Sequence, residues 1–143
     1  MAALRLLARR EHSAVELARK LAQRGFEPTA IAASLERLRG GGELSDVRFA
    51  HALARHRAGQ GYGELRIRAE LAQHGLRDDI ADGALFELDV DWGRLALAQA
   101  RRHFPAVPRD PAGTARVLRH LAQRGFPAPI ARSALAEWMQ SVQ

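Results

Sequence analysis

The sequence predicts an all-α protein made of three tandem three-helix repeats that form an elongated, curved, solenoid-like body. One observation is a motif of leucine, alanine, glutamine, any residue, glycine and an apolar residue, which occurs three times at a spacing of 50 residues, at 21–26, 71–76 and 121–126. Another is that apolar residues recur at helical spacing, without sustained strand-like alternation. A repeat of this size buries too little surface alone, so each is expected to pack on its neighbours. The predicted repeats span 1–42, 43–89 and 90–143.

The first repeat is predicted to open with a helix from Ala2 to Arg10, where leucines recur at helical spacing. A second helix begins after Ser13, because residues 13–16 form a capping box. In such a box the Ser13 hydroxyl accepts a hydrogen bond from the backbone near Glu16, and the Glu16 side chain reaches back to the start of the helix.

The repeated motif is predicted to end this second helix. Gly25 can adopt the positive φ that is common just past a helix end, and Phe26 is expected to pack back onto the helix. Pro28 suits the first turn of a third helix. That helix is predicted to end at the three consecutive glycines 40–42.

The second repeat follows the same plan. Ser45 is the predicted N-cap of a helix from Asp46 to Arg57. The glycine-rich connection 59–63, which contains Tyr62, separates this helix from the next one.

The third repeat is predicted to open a helix near Asp91, and residues 104–109 form its first connection. Asp110 and Pro111 combine an N-cap with a favoured first helical residue. Four positions are apolar in all three repeats and are predicted to form the core. They are Leu17, Ile67 and Val117; Leu21, Leu71 and Leu121; Leu35, Leu85 and Leu135; and Leu38, Leu88 and Trp138.

The composition is that of a folded protein with a basic balance. The formal net charge is +6, and arginine supplies every lysine or arginine charge except Lys20, which favours anionic partners. The absence of cysteine excludes a disulfide framework and a cysteine-ligated metal site. No signal peptide and no run of about 20 apolar residues is present. We expect a cytoplasmic monomer without membrane association.

Each predicted first helix ends in a basic cluster, and two readings of these clusters stay open. Cations are favoured at a helix C-terminus by the macrodipole, which alone explains their position. A row of positive clusters also suits a repeating polyanionic partner. The clusters contain Arg9 and Arg10, Arg55 and Arg57, and Arg101 and Arg102.

The second repeat carries two further candidate features. Tyr62 lies just before Arg66 and Arg68, so it either packs against the helix start or stacks on a partner. The acidic residues Asp78, Asp79 and Asp82 either favour the start of a helix or dock on a basic partner surface; metal binding is the weaker reading.

The sequence predicts neither an enzyme nor a cofactor. The six histidines show no helical pair with a glutamate and a third ligand, so no metal site is expected. The glycines 40–42 are not followed by the Gly-Lys-Ser/Thr of a phosphate loop. The serines lie at predicted caps or on helix faces rather than in a nucleophile turn.

The order and spacing of several short motifs resemble the RecX family of RecA regulators. These are Arg10-Glu11-His12-Ser13 leading into Glu16-Leu17 and Lys20-Leu21, then Asp46-Val47-Arg48-Phe49-Ala50, Gly61-Tyr62-Gly63 leading into Arg66-Ile67 and Glu70-Leu71, and Arg124-Gly125-Phe126. The resemblance covers essentially the whole chain. Because the predicted first helix begins at residue 2, we do not expect the N-terminal extension that some members of the family carry.

The resemblance implies binding to RecA, chiefly as the RecA–single-stranded DNA filament, and inhibition of its recombinase, ATPase and coprotease activities in DNA repair and the SOS response. A rigid body with several weak contacts suits the filament groove, because multivalency favours a polymer over a free subunit. An alternative is weak, largely non-specific binding of single-stranded DNA. A helical scaffold for another partner also stays open.

Overall fold

The computed structural model describes residues 2–142, and within them the fold is all-α, as predicted, without a strand. Nine helices follow one another in this part of the chain. They are α1 (Ala2–Arg9), α2 (Ala14–Gln23), α3 (Pro28–Gly41), α4 (Asp46–Gly59), α5 (Glu64–Gln73), α6 (Asp78–Leu88), α7 (Trp92–His103), α8 (Pro111–Gln123) and α9 (Ala128–Gln140).

Short side-chain caps begin four of these helices at the predicted residues. Ser13 accepts a hydrogen bond of 3.0 Å from the Glu16 N–H. Ser45, Asp91 and Asp110 accept equivalent bonds of 3.2, 3.1 and 2.7 Å at the starts of α4, α7 and α8. Each bond satisfies a backbone donor that has no partner inside its own helix.

The prediction that the Glu16 side chain completes the capping box is wrong. The Glu16 carboxylate does not turn to the start of its helix; its two oxygens accept hydrogen bonds of 2.6 and 3.1 Å from Arg10. The first N–H of α2, on Ala14, instead donates to Asp46 Oδ1 at 2.9 Å. A charged guanidinium is a stronger donor than a backbone N–H, which explains the exchange of partners.

The repeated motif forms the same helix end in all three repeats. Gly25, Gly75 and Gly125 have φ values of 90°, 72° and 99°. Each donates its N–H to an alanine carbonyl three residues earlier, and the next residue donates to the leucine carbonyl five residues before it. These bonds satisfy carbonyls at the end of the helix, as in a Schellman motif.

Burial of the apolar residue after this glycine differs between repeats. Phe126 is 1% exposed, whereas Phe26 is 46% exposed. Phe26 therefore packs back onto its helix only in part. Its ring lies beside Leu21 and Ile31 at the edge of a small cavity.

The predicted core positions are confirmed. The residues at the positions equivalent to Leu17 and Leu21 are buried in every repeat. Those at the positions equivalent to Leu35 and Leu38 are buried or half-buried. Fully burying a side chain of this kind contributes about 1.5–3 kcal/mol of transfer free energy.

The chain divides into two compact units, each with its own core. Unit 1 consists of Met1–Leu53 and Leu71–Glu87, and unit 2 consists of Ala54–Glu70 and Leu88–Gln143. In unit 1, α1, α2 and α3 pack around Leu6, Leu17 and Leu38. In unit 2, α7, α8 and α9 pack around a cluster that includes Phe126 and Trp138. The repeat boundaries at 42/43 and 89/90 stay a prediction.

Candidate functional site

Unit 2 carries all of the net positive charge. It contains twelve arginines and six carboxylates, whereas unit 1 has ten basic and ten acidic side chains. Most of the predicted contact residues, from Arg55 to Arg102, belong to unit 2. The candidate site is therefore a strongly basic unit joined in sequence to an electrically balanced one.

The two arginines that end α4 have different surroundings. Arg57 donates to both oxygens of Glu70 at 2.7–3.2 Å, with a further bond of 2.9 Å to Gln60. The hydrogen bond to Glu70 raises the pKa of Arg57. Arg55 is exposed, and its side chain has no partner among residues 2–142. The structure therefore gives Arg57 an internal role and leaves Arg55 accessible.

The end of α1 repeats this division of roles. Arg9 is exposed, whereas Arg10 is paired with the buried Glu16. Burial acts to raise the pKa of Glu16, but the hydrogen bond and charge of Arg10, together with the charges of His12 and Lys20, outweigh it and lower that pKa. Arg10 thus keeps a buried carboxylate ionised.

At the end of α7, both arginines donate hydrogen bonds to uncharged acceptors. Arg101 donates to Ser141 Oγ at 3.1 Å, and Arg102 donates to Gln99 Oε1 at 2.5 Å. Neither bond compensates the arginine charge, and both residues are exposed. Their guanidinium groups therefore retain positive charge for a partner.

A second polar position recurs in the repeats and was not recognised in the sequence. Lys20, Glu70 and His120 lie 50 residues apart on α2, α5 and α8. Lys20 bonds His12 Nε2 at 2.9 Å, Glu70 bonds Arg57, and His120 Nε2 bonds Gln99 Nε2 at 3.0 Å. Each contact ties the second helix of its repeat to the preceding helix or connection. The differing residue types at this position concealed the shared role.

Tyr62 lies between two arginines in unit 2. The guanidinium carbon of Arg124 is 3.8 Å from the centre of the Tyr62 ring, and that of Arg66 is 4.6 Å away. These distances are typical of cation–π contacts. Arg124 also donates to the carbonyls of Gln60 and Gly61. Tyr62 thus contacts Arg66 on α5 and Arg124 just after α8, and its contact with a partner stays a prediction.

The same contacts bring two distant motifs together. The Gly63 N–H donates to the Arg124 carbonyl at 2.8 Å, and the Leu65 N–H donates to the Gly125 carbonyl at 2.9 Å. The connection before α5 therefore lies directly on the turn after α8. Arg124 was not among the predicted site residues, because its role depends on this contact.

The remaining candidates lie on α5 and α6. Arg68 is half-buried and Asp82 is exposed, and neither is without a partner. Asp78 and Asp79 occupy the first turn of α6, where the helix dipole favours negative charge. Asp79 also accepts hydrogen bonds of 3.1 and 3.2 Å from Arg77.

Neither a metal-binding cluster nor a membrane-spanning helix occurs in the described part of the chain. Among residues 2–142, no three histidine, aspartate or glutamate side chains form a group that could hold a metal ion. No helix in that range is long and apolar enough to cross a membrane.

Acidification is expected to destabilise the fold through two histidines. Burial lowers the pKa of His12 and of His120 below 6.5, and the charges of His103 and Arg124 lower that of His120 further. The unfolded chain therefore binds protons more readily, and stability falls as the pH drops below about 6.5. Thermal unfolding followed by circular dichroism should give a lower melting temperature at about pH 5.5 than at about pH 7.5.

Glutamine replacements identify the groups responsible for this effect. The double variant H12Q/H120Q should lose part of the pH dependence, whereas a variant of the exposed His56, H56Q, should keep that of the unaltered protein. An equal pH dependence in all three proteins would contradict the assignment.

The fold and the site together define a class of protein: a helical protein made of three-helix domains, with a strongly basic unit. Residues 1–38 match the family model for the RecX first three-helix domain, and residues 45–85 match that for the RecX second three-helix domain. The chain belongs to the RecX family of regulatory proteins, as its motifs indicated.

Curated relatives agree with this family assignment, and a solved structure agrees with the fold. The chain is 50% identical to the regulatory protein RecX of Xanthomonas campestris pv. campestris (strain B100), over 87% of this chain and 77% of the relative. It is 47% identical to that of Pseudomonas putida (strain F1), over 87% and 81%. The fold resembles the crystal structure of RecX from Lactobacillus salivarius, with a TM-score of 0.80, 20% identity and coverage of 97% and 93%.

Proposed function

We propose that this protein is a non-enzymatic regulator that binds RecA and the RecA–single-stranded DNA filament. It inhibits the recombinase, ATPase and coprotease activities of RecA and thereby modulates DNA repair and the SOS response. The observation that carries the proposal is membership of the RecX family over most of the chain. The protein acts in the cytoplasm as a monomer.

The charge distribution supports a physical mechanism for this binding. A unit with twelve arginines and six carboxylates attracts a polyanionic filament over a long range. Several contacts made by one rigid unit raise the apparent affinity for a polymer above that for a single subunit. The proposed contacts are Arg9, Arg10, Arg55, Arg57, Tyr62, Arg66, Arg68, Arg101 and Arg102, with Asp78, Asp79 and Asp82 as an acidic docking patch.

The internal ion pairs divide the proposed contacts into two groups. Arg10 and Arg57 are bound to carboxylates, so a change there alters folding as well as binding. Arg9 and Arg55 are exposed and have no side-chain partner among residues 2–142, while Arg66 is exposed over Tyr62. These three arginines give the clearer test of partner binding.

RecA-driven strand exchange and ATP turnover test the proposal directly. Both rates should fall as the protein is added to filaments formed on single-stranded DNA. The loss should occur at concentrations well below that of RecA if the protein acts on the growing filament. Unchanged rates at a stoichiometric excess of the protein would reject the proposal.

A second candidate function is direct binding of single-stranded DNA. The excess of arginines over carboxylates in unit 2 favours it, because basic side chains bind the phosphates of single strands without sequence preference. Labelled DNA titrated without RecA at two salt concentrations separates the two functions. Tight binding to DNA with no effect on RecA would favour the second candidate.

A further inference from the structure

Unit 2 contains an open groove, and of its lining residues only Arg101 is a contact of the proposed function. The groove encloses about 650 Å³ between the end of α7, the connection to α8, and α9. Its apolar floor is formed by Phe104, Val107 and Trp138. Trp138 is buried and Phe104 is half-buried, so the floor is continuous with the core of the unit.

Two arginines line the same groove. Arg101 and Arg109 are both exposed, and the residues that line the groove include no aspartate or glutamate. Arg101 donates to Ser141, whereas the Arg109 side chain has no partner among residues 2–142. Two uncompensated guanidinium groups beside an apolar floor are complementary to carboxylates that flank an apolar side chain.

The connection that lines the groove is stiff. Pro105 and Pro108 are two of the six residues of this connection that line the groove, and proline restricts the backbone. A preformed groove loses less conformational entropy when a ligand binds than a flexible loop does.

The aromatic rings of the floor are poorly placed to stack on nucleic-acid bases. Trp138 is only 6% exposed. The Phe104 ring makes edge contacts with His103 and His120, with ring centres 4.9 and 5.5 Å away. Base stacking needs an accessible aromatic face. The groove therefore fits an inserted apolar side chain better than a base.

We propose that this groove binds a short acidic peptide segment of another protein, in which carboxylates flank a leucine or phenylalanine. The apolar side chain packs on Phe104, Val107 and Met139, and the carboxylates pair with Arg101 and Arg109. This inference does not depend on RecA binding, because the peptide is a separate ligand and its binding is measured without RecA or DNA.

Fluorescence anisotropy of a labelled peptide, Gly-Asp-Asp-Leu-Phe-Asp-Glu-Gly, tests the proposal. The full chain should bind this peptide. Replacing its acidic residues by Asn and Gln, or Leu-Phe by Ser-Ser, should weaken binding at least about tenfold. Equal binding of the uncharged peptide, or no binding of the acidic one, would overturn the proposal.

Charge reversal within unit 2 identifies the groove as the binding site. Arg109→Glu should weaken binding of the peptide at least about tenfold, because it places a carboxylate against the carboxylates of the ligand. The matched control Arg132→Glu changes the net charge equally at an exposed position of α9 outside the groove lining and should leave binding unchanged. Met139→Asp tests the apolar wall of the groove, since Met139 is only 40% exposed, and should also weaken binding. Equal affinity of the Arg109 and Arg132 variants would overturn the proposal.

Two competing occupants have distinct outcomes in the same experiments. Displacement of the peptide by a single-stranded oligonucleotide, with the same sensitivity to Arg109→Glu, would assign the groove to nucleic acid. Light scattering that shows dimers dissociated by Arg109→Glu would assign it to a second copy of the chain. Either result would overturn the proposal of an acidic peptide.

Discussion

Replacing Gly63 by alanine is expected to lower the free energy of unfolding by about 3 kcal/mol or more, at the upper end of the usual cost of overpacking. An added Cβ would lie 2.5 Å from the carbonyl carbon and oxygen of Gly125 and 2.6 Å from the Phe126 nitrogen. All of these are backbone atoms, so no side-chain rotation relieves the overlap. The hydrogen bonds from Gly63 and Leu65 to this turn would lengthen or break.

Alanine at Gly125 should have an effect of similar size for two reasons. Gly125 has a φ of +99°, which L-residues rarely adopt, and an added Cβ would overlap Arg66. Phe126, the buried side chain next to it, depends on the same turn. Urea unfolding followed by circular dichroism measures both losses.

Gly59 provides the matched control in the same unit. It ends α4 without a positive φ, and nothing lies within 4 Å of an added Cβ. Gly59→Ala should therefore change stability by less than about 1 kcal/mol, in the stabilising direction. Equal stabilities of the Gly59 and Gly63 variants would contradict the close approach of the two turns.

The sequence predicted the helices well because the signals involved are local. A cap such as Ser13 bonds a backbone group three residues away, and Gly25 ends a helix whose last turn it directly follows. Such patterns can be read from residues within one or two helical turns. For this reason, the helices that were predicted to begin at Pro28, Asp46 and Pro111 begin at those residues in the structure.

The different burial of Phe26 and Phe126 could not be predicted, since the two six-residue motifs are identical in sequence. The turn before Phe126 accepts hydrogen bonds from Gly63 and Leu65. These residues are about 60 positions earlier in the chain. Local spacing carries no information about which distant segment covers a turn.

The ion-pair partners of the arginines could not be predicted from the sequence for a related reason. Arg10 and Glu16 are six residues apart, and Arg57 and Glu70 are thirteen apart. Neither spacing is the three or four residues at which side chains meet on one helix. The sequence therefore showed a row of basic clusters but could not distinguish the paired arginines from the exposed ones.

Reversing two exposed charges of unit 2, in the double variant R55E/R66E, is expected to weaken binding to the RecA–single-stranded DNA filament about a hundredfold. Each reversal replaces an attraction to a polyanion by a repulsion, with about a tenfold loss expected per charge. Tyr62 should stay in place, because Arg124 still lies over its ring at 3.8 Å. Filament binding is measured by anisotropy, and inhibition by RecA ATP turnover.

The matched control for this variant is R5E/R24E, which changes the net charge equally in unit 1. Both arginines are exposed, and their side chains have no partner among residues 2–142. Their replacement should weaken binding only slightly, because unit 1 already has balanced charge. Equal losses in the two variants would show that total charge, rather than the basic unit, governs binding. Full binding by R55E/R66E would exclude these arginines as contacts, and thermal unfolding of both variants verifies that the fold is intact.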